Sequence, residues 1–482
     1  MNSLALGLLI AVVAALVIRG LNLRAGVLQY PFLAAAVMAG WFLPQAIKLT
    51  ESYELPAGAF ALTMFYASAA MLAIWFGDRT RIRRLSKKPE FDERSLLIGA
   101  MILSAIGALA YGLILRSNAT QTEEGLTTGI VTIYFFFYKA QYFGYALALL
   151  LYLQRPSMLA LGIVVFNVMT LSSFILFGGR RGPAVDLTLI TLCALWFQWR
   201  FLVPKWLMLG GIAAGAIFIS AAGQYRSLVT TINDPMVREG DARLPTFDEM
   251  MQIDWLGSFT NTGQNAVFEV SNAIHYIAAS WETLRFDYGL HYWNFFVFRF
   301  VPGQVVGLDL KKSLQFDIPD LPVEIYGYVR HIGTTYTGFA DTFMAFGPLG
   351  VLVFYFIARL MRGWWVRGMD GSIKDQYYYC TVIGTSLHAV THATEWLFIF
   401  IPQVLLFTWF IFRAARRLRH WGRRGPRDGR LALPVGAGPA EARGSVSTPQ
   451  ARMRARGTGQ DDRIDAQSLG QGKVGPRGEL NP

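Results

Sequence analysis

Long apolar runs of 15 to 24 residues, divided by short polar loops, repeat along most of this chain. A helix needs about 20 predominantly apolar residues to cross a bilayer. The pattern predicts eleven spans: Leu4–Ile18, Val27–Ile47, Ala57–Phe76, Ser95–Leu115, Ile130–Leu153, Ser157–Phe177, Ala184–Trp199, Trp206–Gly223, Asp341–Met361, Tyr377–Thr391 and Trp396–Phe412. The last two are short enough to form one kinked or re-entrant element. Between the eighth and ninth lies a long stretch, 224–340, that is too rich in aromatic residues to be a linker. Within it, Gly263–Leu284 has apolar residues at helical spacing and reads as an amphipathic helix lying on the membrane.

The expected fold is therefore an all-α polytopic integral membrane protein of about eleven transmembrane helices with one large, partly helical loop. Its parts are an N-terminal bundle of eight spans (1–223), the loop (224–340), three C-terminal spans (341–412) and a basic tail (413–482). The tail is Gly, Pro, Arg and Ala with little apolar content, a composition expected to be disordered. The first apolar run lacks the basic n-region and small-residue cleavage pattern of a signal peptide, so no cleavage is expected.

Composition agrees: 53% of the 482 residues are hydrophobic and only 16% charged, against about 25% charged in soluble proteins. Net charge is +12, and it is concentrated. From Arg413 onward there are 15 basic and 6 acidic residues, leaving +9 in the tail. Arg79, Arg81, Arg83, Arg84, Lys87, Lys88 and Arg94 fill one other loop. Basic loops mark the cytoplasmic side, and an outside N-terminus puts both of these groups inside. The 224–340 loop then faces outside, and the tail faces the cytoplasm. The basic run has too few interleaved aromatics to suggest nucleic acid. Alkaline phosphatase fusions after Asn118, Gly182 or Gly240 should be active, and fusions after Lys88 or Gly363 inactive. An inactive Gly240 fusion in folded protein would put the large loop in the cytoplasm.

One outside hairpin breaks the charge pattern. "FILFGGRRGPAVD" places Arg180 and Arg181 side by side between two spans. Arginine offers a planar fork that matches phosphate oxygens bidentately, and the flanking glycines let backbone N–H groups approach an anion. A lipid-linked diphosphate at the outer boundary fits; an ion pair with Asp186 is the structural alternative. Lys139 lies within a span, where charge is costly and usually functional; it reaches toward the outer cavity or pairs with an acid such as Asp186. Arg299, in the aromatic run "YGLHYWNFFVFRFVPG", is expected to have an anionic partner. In "HAVTHATE", His388, His392 and Glu395 at i, i+4 and i+7 would share a helix face, a spacing suited to polar packing, acid/base work or a metal. The two cysteines, Cys193 and Cys380, fall in separate apolar runs and read as core residues. No Walker A loop, Rossmann glycine motif, H-E-x-x-H or G-x-S-x-G elbow is present, so no cofactor and no resident metal are expected.

Taken in order, "FGGRRGP" between central spans, a large outside loop with "YGLHYW", "FRFVPG" and Lys311-Lys312, then "GTTYTGFADTFMAFGPLG" leading into the next span, the chain resembles the bacterial O-antigen polymerase family, the Wzy-type oligosaccharide repeat-unit polymerases. The likeness covers roughly residues 95–412. It departs from the family in having Asp341 where a glutamate-like reach is common, and in "HAVTHATE". The resemblance implies glycosyl transfer between undecaprenyl-diphosphate-linked oligosaccharides at the periplasmic face, with membrane lipids, a chain-length regulator and a flippase as further partners. Diphosphate contacts then fall to Arg180, Arg181, Arg299 and Lys139. The general base falls to Asp341, His331 or His392, in that order. An O-antigen ligase would share the donor and the cations. A transporter or flippase would show inverted repeats or paired broken spans, and neither is apparent.

Overall fold

Helices follow the apolar runs, and most end where the composition turns basic. The first four are α1 (Asn2–Asn22), α2 (Tyr30–Leu49), α3 (Ala59–Arg79) and α4 (Glu93–Arg116). Asp92 caps α4 by accepting the Ser95 N–H at 2.8 Å, satisfying one of the unpaired amides of a helix start. Next come α5 (Val131–Tyr138), α6 (Ala140–Gln154), α7 (Met158–Gly178) and α8 (Arg181–Trp199). The large loop contributes α9 (Phe268–Thr283), α10 (Leu290–Phe300) and α11 (Leu321–Tyr326), besides shorter helices. The chain returns through α12 (Thr337–Phe346), α13 (Val351–Met369), α14 (Ile373–Thr391) and α15 (Glu395–Gly422). This computed structural model describes residues 1–422 apart from 51–54, 87–88, 118–129, 179–180, 205, 208–209, 212–223, 226, 230, 233–243, 256, 258–267 and 331–333. No strand occurs among the described residues.

Six helical stretches are long and apolar enough to cross a bilayer: Asn2–Asn22, Tyr30–Leu49, Ala59–Arg79, Glu93–Arg116, Thr337–Met369 and Glu395–Arg416. The protein is an α-helical, multi-pass membrane protein. The remaining predicted spans are helical as well, except Trp206–Gly223, most of which lies outside the described residues. The fifth is broken at Lys139, between α5 and α6. The ninth is kinked by a 3₁₀ turn at Gly347–Gly350 between α12 and α13. The basic tail expected from 413 begins as helix, because α15 continues to Gly422.

The basic ends of the spans gather at one end of the bundle. Arg19 closing α1 pairs with Asp78 closing α3 at 2.8 Å. Arg155 after α6 pairs with Glu93 opening α4 at 2.9 Å. The Asp92 N–H donates to the Ala415 carbonyl at 3.0 Å, the Leu85 N–H to Asp370 at 3.3 Å and the Trp199 indole to the Leu153 carbonyl at 3.0 Å. The large loop folds onto the opposite end. There α9 buries Val270, Ala273, Ile274 and Ile277 against α3 and α12, and the Val270 N–H donates to Gln45 at 3.3 Å. The helix expected in that segment exists, but its apolar stripe packs on protein rather than lipid, since α12 and α3 present a complementary buried face there.

Candidate functional site

At the end of the bundle away from the basic loops, three segments distant in sequence meet. The backbone N–H groups of Asp287 and Tyr288 donate to the Met344 and Ala345 carbonyls, each at 3.0 Å, fastening the start of α10 to the end of α12. Tyr288 and Gly289 both adopt positive φ, +53° and +86°, a tight turn that glycine eases. The first turn of α10 is thereby laid over Asp341 of α12. The Asp341 side chain is 0% exposed, so its charge needs partners on every side.

It has them. His291 Nε2 lies 2.7 Å from Oδ1 of Asp341, and His291 Nδ1 lies 2.5 Å from Asp287. Oδ2 of Asp341 accepts the Thr394 N–H at 2.8 Å, the Tyr292 hydroxyl at 3.2 Å and the Thr394 hydroxyl. Burial alone would push the His291 imidazole down. The Asp341 charge and the hydrogen bonds to Asp287 and Asp341 outweigh it and hold the pKa at about 10. His291 is an imidazolium bridging two carboxylates. Burial, with Asp341 beside it, pushes the Tyr292 phenol up, so it remains protonated and available to donate.

Next to this network sit two groups of a different kind. Arg299, in the last turn of α10, holds its guanidinium 5.2 Å from the Phe295 ring, 5.6 Å from Phe298 and 5.0 Å from Trp396. Among the described residues it makes no hydrogen bond and has no carboxylate within 4.0 Å. Lys311 is close by, donating to the Phe298 carbonyl at 2.9 Å; burial first, and then the Arg299 charge, push its ammonium down. Glu395 opens α15 beside Trp396 and is half-buried. It too makes no hydrogen bond or ion pair among the described residues, although the Asp341, His291, Arg299 and Arg330 charges act on it. An unpaired acid and an unpaired cation therefore flank a fully paired one.

Single ligand atoms of His291, Asp341 and Glu395 lie within 4.8 Å of one another, a spacing a divalent ion can bridge. The donor set argues for protons instead. Both His291 nitrogens and both Asp341 oxygens are already engaged in hydrogen bonds, and a metal ligand must shed such partners.

Of the residues expected from sequence, Asp341 is central and Arg299 adjacent. Lys139 stands elsewhere, 5.2 Å from the Tyr142 ring and 5.9 Å from Phe400, with its charge acting on Asp186 and His388. Asp186 also packs against Gly384, where a Cβ would come within 1.9 Å of its carboxylate. His392 is exposed at the end of α14, 2.7 Å from the Thr391 hydroxyl. His331 and Arg180 lie outside the described residues, as does the Arg181 side chain. Between the spans expected at Ser157–Phe177 and Ala184–Trp199, α7 reaches Gly178 and α8 starts at Arg181; Pro183 is tolerated in that first turn.

The shared helix face for His388, His392 and Glu395 is corrected. α14 stops at Thr391 and α15 starts at Glu395. Capture of the Thr394 N–H by Asp341 draws the chain out of helix, leaving His388 and His392 together, rings 5.1 Å apart, while Glu395 joins His291 and Asp341. Sequence reasoning missed His291, Asp287, Tyr292 and Thr394; the available signal was an Asp and a His at i and i+4 around "DYGLHY".

Close approach of α12 to α14 sets this geometry. A Cβ on Gly338 would come 1.7 Å from the Ala389 carbonyl oxygen. Gly338→Ala should therefore separate α12 from α14 and cost about 1–3 kcal/mol or more, read as lower thermal stability in detergent. An unchanged melting temperature would show that this contact is not needed.

No protein-family model, curated protein or solved structure matches the chain.

Proposed function

We propose that the protein is a membrane glycosyltransferase that polymerises undecaprenyl-diphosphate-linked oligosaccharide repeat units at the periplasmic face of the inner membrane. The supporting observation is Arg299: a half-buried guanidinium in an aromatic sleeve, with no anion paired to it among the described residues, next to a Glu395 that has no hydrogen bond or ion pair among them either. Glycosyl transfer from a lipid diphosphate asks for that combination. The bond from the anomeric carbon to the phosphate oxygen breaks, and the diphosphate departs with the bonding electrons. A hydroxyl of the acceptor sugar forms the new bond to that carbon and gives up its proton. A fixed cation at the departing oxygens and a base at the hydroxyl are the two groups the reaction needs. No nucleotide is required, since the diphosphate ester carries the energy.

Arg299 takes the leaving-group role, with Lys311 nearby and Arg180 and Arg181 retained from the sequence reading. Glu395 becomes the preferred base in place of Asp341. Both oxygens of Asp341 are occupied and its side chain is buried, whereas Glu395 is half-buried and has no hydrogen bond or ion pair among the described residues. Asp341, with His291 and Thr394, then serves to hold α10 against the start of α15, keeping Arg299 and Glu395 in register.

Purified protein in nanodiscs, supplied with one synthetic polyprenyl-diphosphate oligosaccharide as both donor and acceptor, should produce a ladder of longer saccharides. Glu395→Gln should stop it at normal protein abundance. If wild-type protein extends nothing and releases no polyprenyl diphosphate, the reading fails. If it transfers only when lipid A core is added, the acceptor is reassigned to that of a ligase.

A further inference from the structure

On the loop side of the bundle, away from the Asp341 network, a cavity of about 410 Å³ is lined by Leu55, Pro56, His275, Tyr326, Gly327 and Tyr328. Its size falls in the range of small-ligand sites. Three of its six lining residues are aromatic. Tyr328 stacks flat on His275, centroids 3.7 Å apart and planes 4° from parallel, and Tyr326 meets His275 edge-on at 5.9 Å. Gly327 makes the arrangement possible: its φ of +61° turns the chain between the two tyrosines, and no atom lies within 4 Å of where a Cβ would stand.

The wall is also rigid. The Tyr328 hydroxyl donates to Asn272 at 2.6 Å, and the Asn272 amide donates to Thr334 at 2.9 Å and to the Thr335 carbonyl at 2.8 Å. Such preorganisation lowers the entropy cost of binding. His275 is 6% exposed, and its Nδ1 lies 2.8 Å from the Ser271 carbonyl, so Nδ1 carries the proton. Burial pushes the imidazole down, keeping it neutral. Nε2 is left as an acceptor in the cavity wall with no partner among the described residues. Among the described residues, no acidic or basic side chain lines the space.

We propose that this cavity binds a neutral sugar ring of the saccharide substrate. Flat aromatic walls suit the apolar C–H faces of a pyranose, and the unpaired His275 nitrogen suits one of its hydroxyls. An uncharged lining excludes a diphosphate and leaves that group to Arg299. A ring contact beside the cavity wall leads toward α12. Tyr276, the next residue on α9, packs its ring 5.3 Å from Tyr336, one residue before α12. The role as a substrate subsite rests on the glycosyl-transfer reading; sugar binding itself does not.

The test is saturation-transfer NMR on the full-length protein in nanodiscs, with maltotriose, cellotriose, mannotriose and N,N′,N″-triacetylchitotriose as probes. At least one should receive saturation, and Tyr326→Leu should reduce its signal at least fivefold. Leu55→Trp, which adds bulk to the cavity and leaves the three aromatic residues in place, should do the same. Glu395→Gln and Arg299→Gln should leave the signal unchanged, so loss of transfer and loss of sugar binding separate. No signal from any of the four probes, or a signal that survives both cavity variants, overturns the proposal.

Discussion

Arg299→Lys should slow chain growth roughly 30- to 1000-fold with protein abundance unchanged, equivalent to about 2–4 kcal/mol of lost transition-state stabilisation. Lysine keeps the charge and can keep the contact with Phe295, Phe298 and Trp396, but it loses the two-pronged geometry that matches a diphosphate. Arg299→Met sharpens the test. A half-buried cation with no paired anion costs stability, so replacing it with an apolar side chain of similar length should leave the melting temperature equal or raise it, while transfer stops. That pairing of outcomes belongs to a residue retained for its ligand. If Arg299→Met instead lowers the melting temperature sharply, the guanidinium is there for its aromatic contacts, and the diphosphate role passes to Arg180 and Arg181. Their Arg→Lys variants should then carry the loss in rate.

The contrast between Arg299 and Asp341 shows what local sequence can and cannot reveal. Apolar run length is a local property, and it located the helices well; even Phe268–Thr283 lies inside the stretch 263–284 read as amphipathic. Which surface a stripe covers is not local, and α9 packs on α3 and α12 instead of lipid. Arg299 stood out because a charge among aromatic residues is anomalous in its own neighbourhood. Asp341 was singled out through the family resemblance, and its task depends on His291, 50 positions away, and Thr394, 53 positions away. The same long-range contact lies in the break between Thr391 and Glu395, which is why i, i+4, i+7 spacing failed for Glu395. A periodic pattern assumes that the backbone keeps its own hydrogen bonds, and the Thr394 N–H is taken by a side chain from another helix.

That side chain supports the prediction with the largest effect on stability. Asp341→Asn leaves a largely buried imidazolium hydrogen-bonded to a single carboxylate, Asp287, and should cost on the order of 3–5 kcal/mol, the range for breaking a buried pair from one side. The companion change His291→Gln removes the stranded charge, so the double variant should recover part of the loss. The pH dependence follows from His291. An unfolded histidine titrates near 6.5, whereas the folded one is held at about 10. Below pH 6.5 both states bind the proton and the full stabilisation is present. Between about 6.5 and 10 the unfolded chain has released the proton and the folded one retains it, so stability falls as pH rises and this contribution is gone above 10. Melting temperatures of the wild type, taken in nanodiscs from pH 6 to 10, should decline through that window. His291→Gln should start lower and decline less. Parallel pH profiles for the two proteins would mean that His291 does not carry the charge joining Asp287 to Asp341, and the two carboxylates would then need a shared proton to stay this close.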